Sequence, residues 1–457
     1  MPENTGPHAP LTLDELRADV SAGRVDTVLV AITDMQGRLQ GKRLHAGYFL
    51  DIALEQGTEG CNYLLAVDVD MATVDGYAMS SWSSGYGDFV MEPDLTTLRR
   101  VPWHEGTVMV LADVLWEDRS PVVASPRQVL ARQTGRLAQA GLRAFVGTEL
   151  EFMVFHDTYE QAWEAGYRKL RPVNLYNVDY SLMGTARVEP LLRRIRNGMA
   201  GSGMTVESAK GECNLGQHEI AFRYDEATVA CDHHVVYKNG AKEIAAQDGY
   251  ALTFMAKFDE REGNSCHIHC SFRGTDGDMV LAGDGEHGLS PTGRSFIAGQ
   301  LAYVRELTLL LAPNINSYKR YVEGSFAPTA LKWGRDNRTC AFRLVGHGPS
   351  LRLENRIPGG DVNPYLATAA IVAAGLAGIE EKLELEPAFE GNAYEATAER
   401  VPSSMAESLL LWQESAFARR VFGDEVVEHY ANMATVELAA YGRSVTDWER
   451  FRGFERL

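Results

Sequence analysis

Four stretches of this chain alternate apolar with charged or polar residues at period two, and each carries its charge on one face, the signature of a strand with one apolar side. In Leu142–Phe155, Glu149 and Glu151 share a face opposite Leu150 and Phe152. In Gln217–Tyr224, Glu219 alternates with Ile220 and Phe222. In Cys266–Phe272, His267, His269 and Ser271 oppose Ile268 and Phe272, and in Leu351–Ile357, Arg352, Glu354 and Arg356 oppose Leu353 and Ile357. Any one of these alone reads as an edge strand with a solvated face. Joined in one sheet with helices on their apolar backs, the four bring Glu149, Glu151, Glu219, His267 and Glu354 onto one concave surface.

So many close carboxylates repel one another unless cations neutralise them. A set rich in carboxylate, with one imidazole and no organised thiolates, favours Mg²⁺ or Mn²⁺ over structural zinc. Arg320, Arg338, Arg343, Arg352 and Arg356 lie near these motifs in sequence. Together they suit two cations, a nucleoside triphosphate and a carboxylate substrate. The chain has no G-x-x-x-x-G-K-[ST] loop, so metal and arginine are left to hold phosphate.

The charge balance agrees. With 44 Lys and Arg against 62 Asp and Glu the net charge is −18, and no basic run offsets it, which argues against a nucleic-acid partner. Hydrophobic residues at 45% and charged residues at 23% describe an ordinary folded protein. Met1–Pro10 lacks the basic and apolar regions of a secretory signal, and the longest uncharged stretch, Pro364–Ile379, is short for a membrane span and reads as a buried helix. The expectation is a cytoplasmic protein with no membrane partner. Cys61, Cys213, Cys231, Cys266, Cys270 and Cys340 form no C-x-x-C pair and read as reduced core thiols.

A polar arm before Leu11 leads to a short helix, a strand over Val25–Thr33, a hairpin turn at Asp34–Gly37 and a Gly-, Ser- and aromatic-rich loop over Val74–Asp94. Ser125 is an N-cap before Pro126, and Gly141 ends the helix they start. The boundary is placed near residue 115, giving domains 1–115 and 116–457.

Several motifs occur in a fixed order: Gly147-Thr-Glu-Leu-Glu-Phe152, Gly211-Glu-Cys-Asn-Leu-Gly-Gln-His-Glu219, Cys266-His-Ile-His-Cys-Ser271, Asn316-Ser-Tyr-Lys-Arg320, Asn337-Arg338, Arg352-Leu-Glu-Asn-Arg356 and Asn363-Pro-Tyr365. In these the chain resembles the glutamine synthetase family over nearly its whole length. The resemblance implies an α+β subunit: a small β-grasp-like N-terminal domain, and a large catalytic domain with an antiparallel half-barrel sheet backed by helices. It implies one cation on Glu151, Glu212 and Glu219 and another on Glu149, His267 and Glu354. It places Glu207, His269, Ser271 and Arg352 along ATP, Gly263, Arg320 and Arg356 on glutamate, and Arg338 and Arg343 on the transferring phosphate. It also implies a homo-oligomer, commonly a dodecamer of two stacked hexameric rings, with sites between subunits.

The chemistry so implied has two steps. The glutamate γ-carboxylate attacks the ATP γ-phosphate to give γ-glutamyl phosphate, and an amine then displaces phosphate. The ammonia-using enzymes carry an acidic residue immediately before Ala-Pro after the Tyr-Lys-Arg motif. This chain has Phe326 there, in Glu323-Gly-Ser-Phe-Ala-Pro328. A phenyl ring takes no proton, but it lines an apolar pocket and attracts an ammonium group by roughly 0.5–2 kcal/mol. Asp75-Gly76 stands seven residues before Trp82, the spacing of an ammonium-site element that the neighbouring subunit supplies in the family. The pattern looks like the branch that joins glutamate to organic amines, with ethanolamine the leading substrate. Polyamines such as putrescine and spermidine are the alternative, followed by ammonia, and last by an inactive structural relative, which the six filled metal positions oppose. Three further departures are Pro349 in place of a phosphate-side lysine, Glu262 in place of an asparagine at the glutamate amino group, and a changed context around Tyr394, which stands where some bacterial relatives carry an adenylylated tyrosine.

Overall fold

The computed structural model describes residues 11–457, so the polar arm before Leu11 lies outside the described residues. The first helix, α1 (Leu13–Ser21), begins at Thr12, whose side chain accepts from the Glu15 amide while Glu15 reaches back to the Thr12 amide, satisfying two free donors of the first turn. Six strands follow: β1 (Thr27–Thr33), β2 (Leu39–His45), β3 (Thr58–Cys61), β4 (Asp88–Pro93), β5 (Arg99–Arg100) and β6 (Thr107–Leu115). They form a mixed sheet in the order β2-β1-β6-β4-β3, with β5 on β6. β1 runs antiparallel to β2 and parallel to β6. The loop expected over Val74–Asp94 therefore stops short of its predicted end. Phe89 and Met91 are fully buried in β4, and this packing overrides the glycine and serine signals before it.

The stretches Val28–Ile32 of β1 and Val108–Ala112 of β6 are unbroken apolar runs because both faces are covered. Val28, Val30, Ile32, Val108 and Val110 pack with Leu16 of α1. Leu29, Ala31, Met109 and Leu111 face the other way, into the core of the larger sheet. A buried ion network adds to this join. Arg127 contacts Asp94 and Asp113 of the first sheet's region and Asp232 of the helix Ala227–Gln247, and Tyr365 Oη donates to Asp232 at 2.6 Å. The hairpin tip is tied as well, Asn363 Nδ2 donating to the carbonyls of Asp34 and Met35 at 3.1 Å each.

The second sheet is formed by β7 (Leu142–Phe155), β8 (Val206–Gly211), β9 (Gln217–Phe222), β10 (Asp225–Glu226), β11 (Ala251–Thr253), β12 (Cys266–Gly274), β13 (Trp333–Arg335), β14 (Phe342–Val345) and β15 (Arg352–Asn355). Its order is β13-β14-β15-β12-β7-β9-β8, with β10 and β11 also on β7. Apart from the parallel pair β13–β14, the pairings are antiparallel, and the sheet curves into a nearly closed half-barrel. The fold is α+β.

Helices back this sheet: α2 (Pro126–Gln139), α3 (Ala227–Gln247), α4 (Pro291–Leu311) and α5 (Pro364–Glu380). α2 begins after Ser125 with Pro126 in its first turn and is followed by Gly141 at φ 75°. α5 is the buried helix the composition predicts, capped by Asn363 on the Tyr365 amide. Its small residues let α4 approach: a Cβ on Gly299 would lie 2.2 Å from the Ala374 carbonyl oxygen and 2.7 Å from Gly378 Cα. Among the described residues no helix is long and apolar enough to cross a membrane. The six cysteines are free thiols, and four are buried, but Cys61 and Cys213 are only half-buried. Cys213 belongs to a loop at the site rather than to the core.

Candidate active site

Strand register assembles the site. Glu149 on β7 lies opposite His267 on β12, and Glu151 lies opposite Glu219 on β9. Glu354 on β15 faces His269 on β12 and Arg343 on β14. Directly opposed residues place their side chains in contact range, so the four alternating strands merge into one polar surface. These faces are not solvated edges: Glu354 is 0% exposed, and Glu151, Glu219 and His267 are no more than 9% exposed.

Two groups of possible metal-ligating atoms result, each with its atoms within 4.8 Å of one another: Glu151, Glu212 and Glu219, and Glu149, His269 and Glu354. Glu212 stands in the loop between β8 and β9. His267 adjoins the second group, its Nδ1 3.3 Å from Glu149 Oε2 and 3.2 Å from Glu354 Oε1. His269 Nε2 is 2.9 Å from Glu149 Oε1, and His269 Nδ1 accepts from Arg352 Nε at 3.1 Å. Both imidazoles thus meet Glu149.

The two groups differ electrostatically. Burial, then repulsion from Glu212, pushes the Glu151 carboxyl up to about 8. Burial and the neighbouring carboxylates raise Glu219 as well, and burial raises Glu212 although Lys210 opposes it. Glu149 goes the other way: burial would raise it, but hydrogen bonds from His267 and His269 hold it well below the usual carboxylate range. Burial, then Arg356, lowers His267 to about 4, leaving a neutral ring free to be a ligand. Carboxylates whose ionised forms are disfavoured by burial and by one another are a donor set a hard divalent cation fits.

Two adjoining cavities open over these groups. The inner one, about 420 Å³, is lined by Glu149, Glu151, Glu212, Glu219, His267 and Glu354, and also by Gly263, Arg320, Phe326, Arg338, Arg343 and Arg356. The second, about 490 Å³, is lined by Glu207, His269, Ser271 and Arg352, and shares Glu149 with the first. Every site residue expected from the sequence lines one of the two except Asp75. That residue is exposed in its loop, where Asn432 Nδ2 donates to its carbonyl at 3.0 Å.

Local contacts fix the arginines. Arg343 donates to Asp336 Oδ1 at 2.9 Å through Nε and to Glu354 Oε2 at 3.0 Å through Nη1. Arg356 donates to Glu354 and, at 3.2 Å, to the Phe326 carbonyl. Arg320 Nη1 donates to the Ile357 carbonyl at 2.9 Å. At Gly263 a Cβ would lie 2.2 Å from the Ala256 carbonyl oxygen and 2.7 Å from Arg320 Cγ, so only glycine lets that backbone close on Arg320. Glu262 lines the inner cavity and Pro349 the second.

Sequence reasoning missed Lys210, Asp179 and Tyr180. Lys210 on β8 lies opposite Glu219, pairs with Glu212, reaches within 3.6 Å of Asp179 Oδ1 and sits 4.7 Å over the Tyr180 ring. Its place two residues before Glu212 was the available signal.

A family model for the glutamine synthetase catalytic domain matches residues 123–452. The chain belongs to the glutamine synthetase family. Among curated relatives, it is 66% identical over 448 residues to a γ-glutamylethanolamide synthetase, GlnA4, of Streptomyces coelicolor, covering 98% of this chain and 96% of that one. It is 37% identical to a glutamate–isopropylamine ligase of a Pseudomonas species, covering 96% and 97% of the two chains. Among solved structures, a GmaS–ADP complex superposes with a TM-score of 0.85 at 27% identity, covering 96% of this chain and 99% of that one. As a member of the glutamine synthetase family the chain is an ATP-dependent carboxylate–amine ligase.

Proposed function

We propose that this ligase joins the glutamate γ-carboxylate to ethanolamine, in the cytoplasm, through γ-glutamyl phosphate. The observation that carries the choice of amine is Phe326. It occupies the sequence position where ammonia-using relatives carry an acid, it lines the inner cavity as an exposed residue, and its carbonyl is held by Arg356. The 66% identity to a relative named for γ-glutamylethanolamide synthesis supports the same amine.

In this reading Glu151, Glu212 and Glu219 would hold one Mg²⁺ or Mn²⁺, and Glu149, His267 and Glu354, with His269 beside them, a second. Bound there, the cations supply charge neutralisation for the phosphoryl oxygens. Glu207, His269, Ser271 and Arg352 bind ATP in the second cavity, Arg352 orienting the His269 ring through its hydrogen bond. Arg320, Arg356 and the Gly263 backbone hold glutamate with its γ-carboxylate toward the phosphate. Arg343, preset by Asp336 and Glu354, and Arg338, exposed in the same lining, stabilise charge on the transferring phosphoryl group, an electrostatic contribution of preset donors. The incoming amine meets the face of Phe326. Asp75 of a neighbouring subunit completes the amine site in a homo-oligomer, a dodecamer of two hexameric rings, to which residues 1–115 contribute as the N-terminal domain.

Phosphate release with ATP, glutamate and Mg²⁺ tests the reading. Ethanolamine is expected to give higher kcat/KM than ammonium, putrescine or spermidine. Equal or higher turnover with ammonium rejects it, and a preference for putrescine or spermidine replaces ethanolamine with a polyamine.

A further inference from the structure

Residues 391–396 form a turn that hydrogen-bonds to Ala327, which lines the inner cavity, and to the two neighbours of Arg338, which also lines it. Tyr394 on this turn is 8% exposed, and its Oη donates to the Ala327 carbonyl at 3.1 Å. The preceding carbonyl, of Phe326, accepts from Arg356 Nη2 at 3.2 Å. Consecutive carbonyls are thus gripped from two sides. The grip has work to do, because Phe326 sits at φ 59°, a left-handed conformation that bulky residues avoid, in a segment outside any named helix or strand.

The far side of the turn is anchored beside Arg338. Thr339 Oγ1 accepts from the Ala393 amide at 2.9 Å, and Asn337 Nδ2 donates to the Gly391 carbonyl at 2.9 Å. Arg400 donates to the Tyr394 carbonyl at 3.2 Å. Asn337 and Thr339 flank Arg338, which lines the inner cavity with Phe326.

We propose that Tyr394 is a positioning residue for amine selectivity: its hydroxyl holds the Phe326–Ala327 segment so that the phenyl ring faces the cavity, and its turn fixes that segment relative to Arg338. This rests on the amine-ligase reading and deepens it. The hydroxyl at the position where some relatives are adenylylated is, in this chain, committed to the Ala327 carbonyl.

Tyr394→Phe removes one oxygen and keeps the ring. One net hydrogen bond corresponds to about a fivefold effect. KM for ethanolamine is expected to rise about fivefold, with KM for glutamate and ATP within about twofold, and the ethanolamine-to-ammonium preference to fall by the same factor. Amide exchange over residues 322–327 is expected to quicken about fivefold while α5 is unchanged. Thr339→Val, which frees the Ala393 amide, should give the same amine-specific shift at smaller size, and serves if Tyr394→Phe folds poorly. A lower melting temperature with reduced kcat for every amine and an unchanged amine KM overturns the proposal, as does unchanged exchange over 322–327. Exchange needs no amine, so the two readings fail separately: a wild type that prefers ammonium, together with quickened exchange in the variant, rejects ethanolamine ligation and leaves the clamp standing.

Discussion

Stripping divalent cations and varying the pH should reveal what the Glu151–Glu212–Glu219 group costs the metal-free fold. Its ligand oxygens lie within 4.8 Å of one another, a separation at which two full charges repel by roughly 3.5 kcal/mol at an effective dielectric of about 20. Burial and this repulsion raise Glu151 from 4.5 to about 8. A carboxyl whose folded pKa lies above its unfolded one contributes stability that is complete below pH ~4.5 and is lost as the pH climbs to about 8. A cation must displace whatever proton Glu151 holds, so below pH 8 affinity falls about tenfold per pH unit for each proton displaced, or roughly 1.4 kcal/mol of Mg²⁺-dependent stabilisation. Buried Lys238, lowered to about 8 mainly by burial, works in the opposite sense, stability rising with pH above that value. The quantity to read is therefore the difference between Mg²⁺ and EDTA melts at each pH. That difference should grow from pH 6 to 8 and level off above, and calorimetry in two buffers of different ionisation enthalpy should show at least half a proton released at pH 7. Glu219→Gln should raise the melting temperature of the metal-free protein and weaken Mg²⁺ binding, because it removes a carboxyl that burial and its neighbours keep from ionising freely and with it one anionic ligand. A pH-independent difference with no proton release would refute the reasoning.

Other predictions concern single residues. Phe326→Ala should raise the ethanolamine KM by about two- to thirtyfold, the range of a lost cation–π contact of roughly 0.5–2 kcal/mol, with the ATP KM unmoved in initial-rate assays. Lys210→Met should tighten Mg²⁺ binding several-fold by calorimetry, since Lys210 competes for Glu212, and should lower the melting temperature of the metal-free protein. Asp75→Ala and Glu219→Ala subunits, each inactive alone, should regain part of the activity when refolded together, since mixed oligomers pair an intact loop with an intact sheet; no recovery would place Asp75 outside the neighbour's site.

The polar half of the site was legible because a strand leaves little freedom: with period two fixed, burial of Leu150, Phe152, Ile268 and Leu353 forces Glu149, Glu151, His267 and Glu354 to the other face. What alternation could not supply was which partners meet. His267 and His269 share a face in sequence, and the register sets His267 opposite Glu149 and His269 opposite Glu354, but only the side-chain contacts show both rings at Glu149. Lys210 escaped because β8 has weak alternation and an irregularity between Val206 and Ser208. β4 was hidden by the loop-like residues before it, its apolar segment being only three residues, Phe89–Met91. The shared core of the two sheets was also out of reach, since the continuous apolar runs of β1 and β6 say that both faces are covered without saying by what.

The central claim is the choice of amine, and one competition measures it. The protein is incubated with ATP, glutamate, Mg²⁺ and equal concentrations of ethanolamine, putrescine and ammonium, and the amide products are counted by mass spectrometry at low conversion. The account predicts γ-glutamylethanolamide as the dominant product; glutamine in the majority would contradict it.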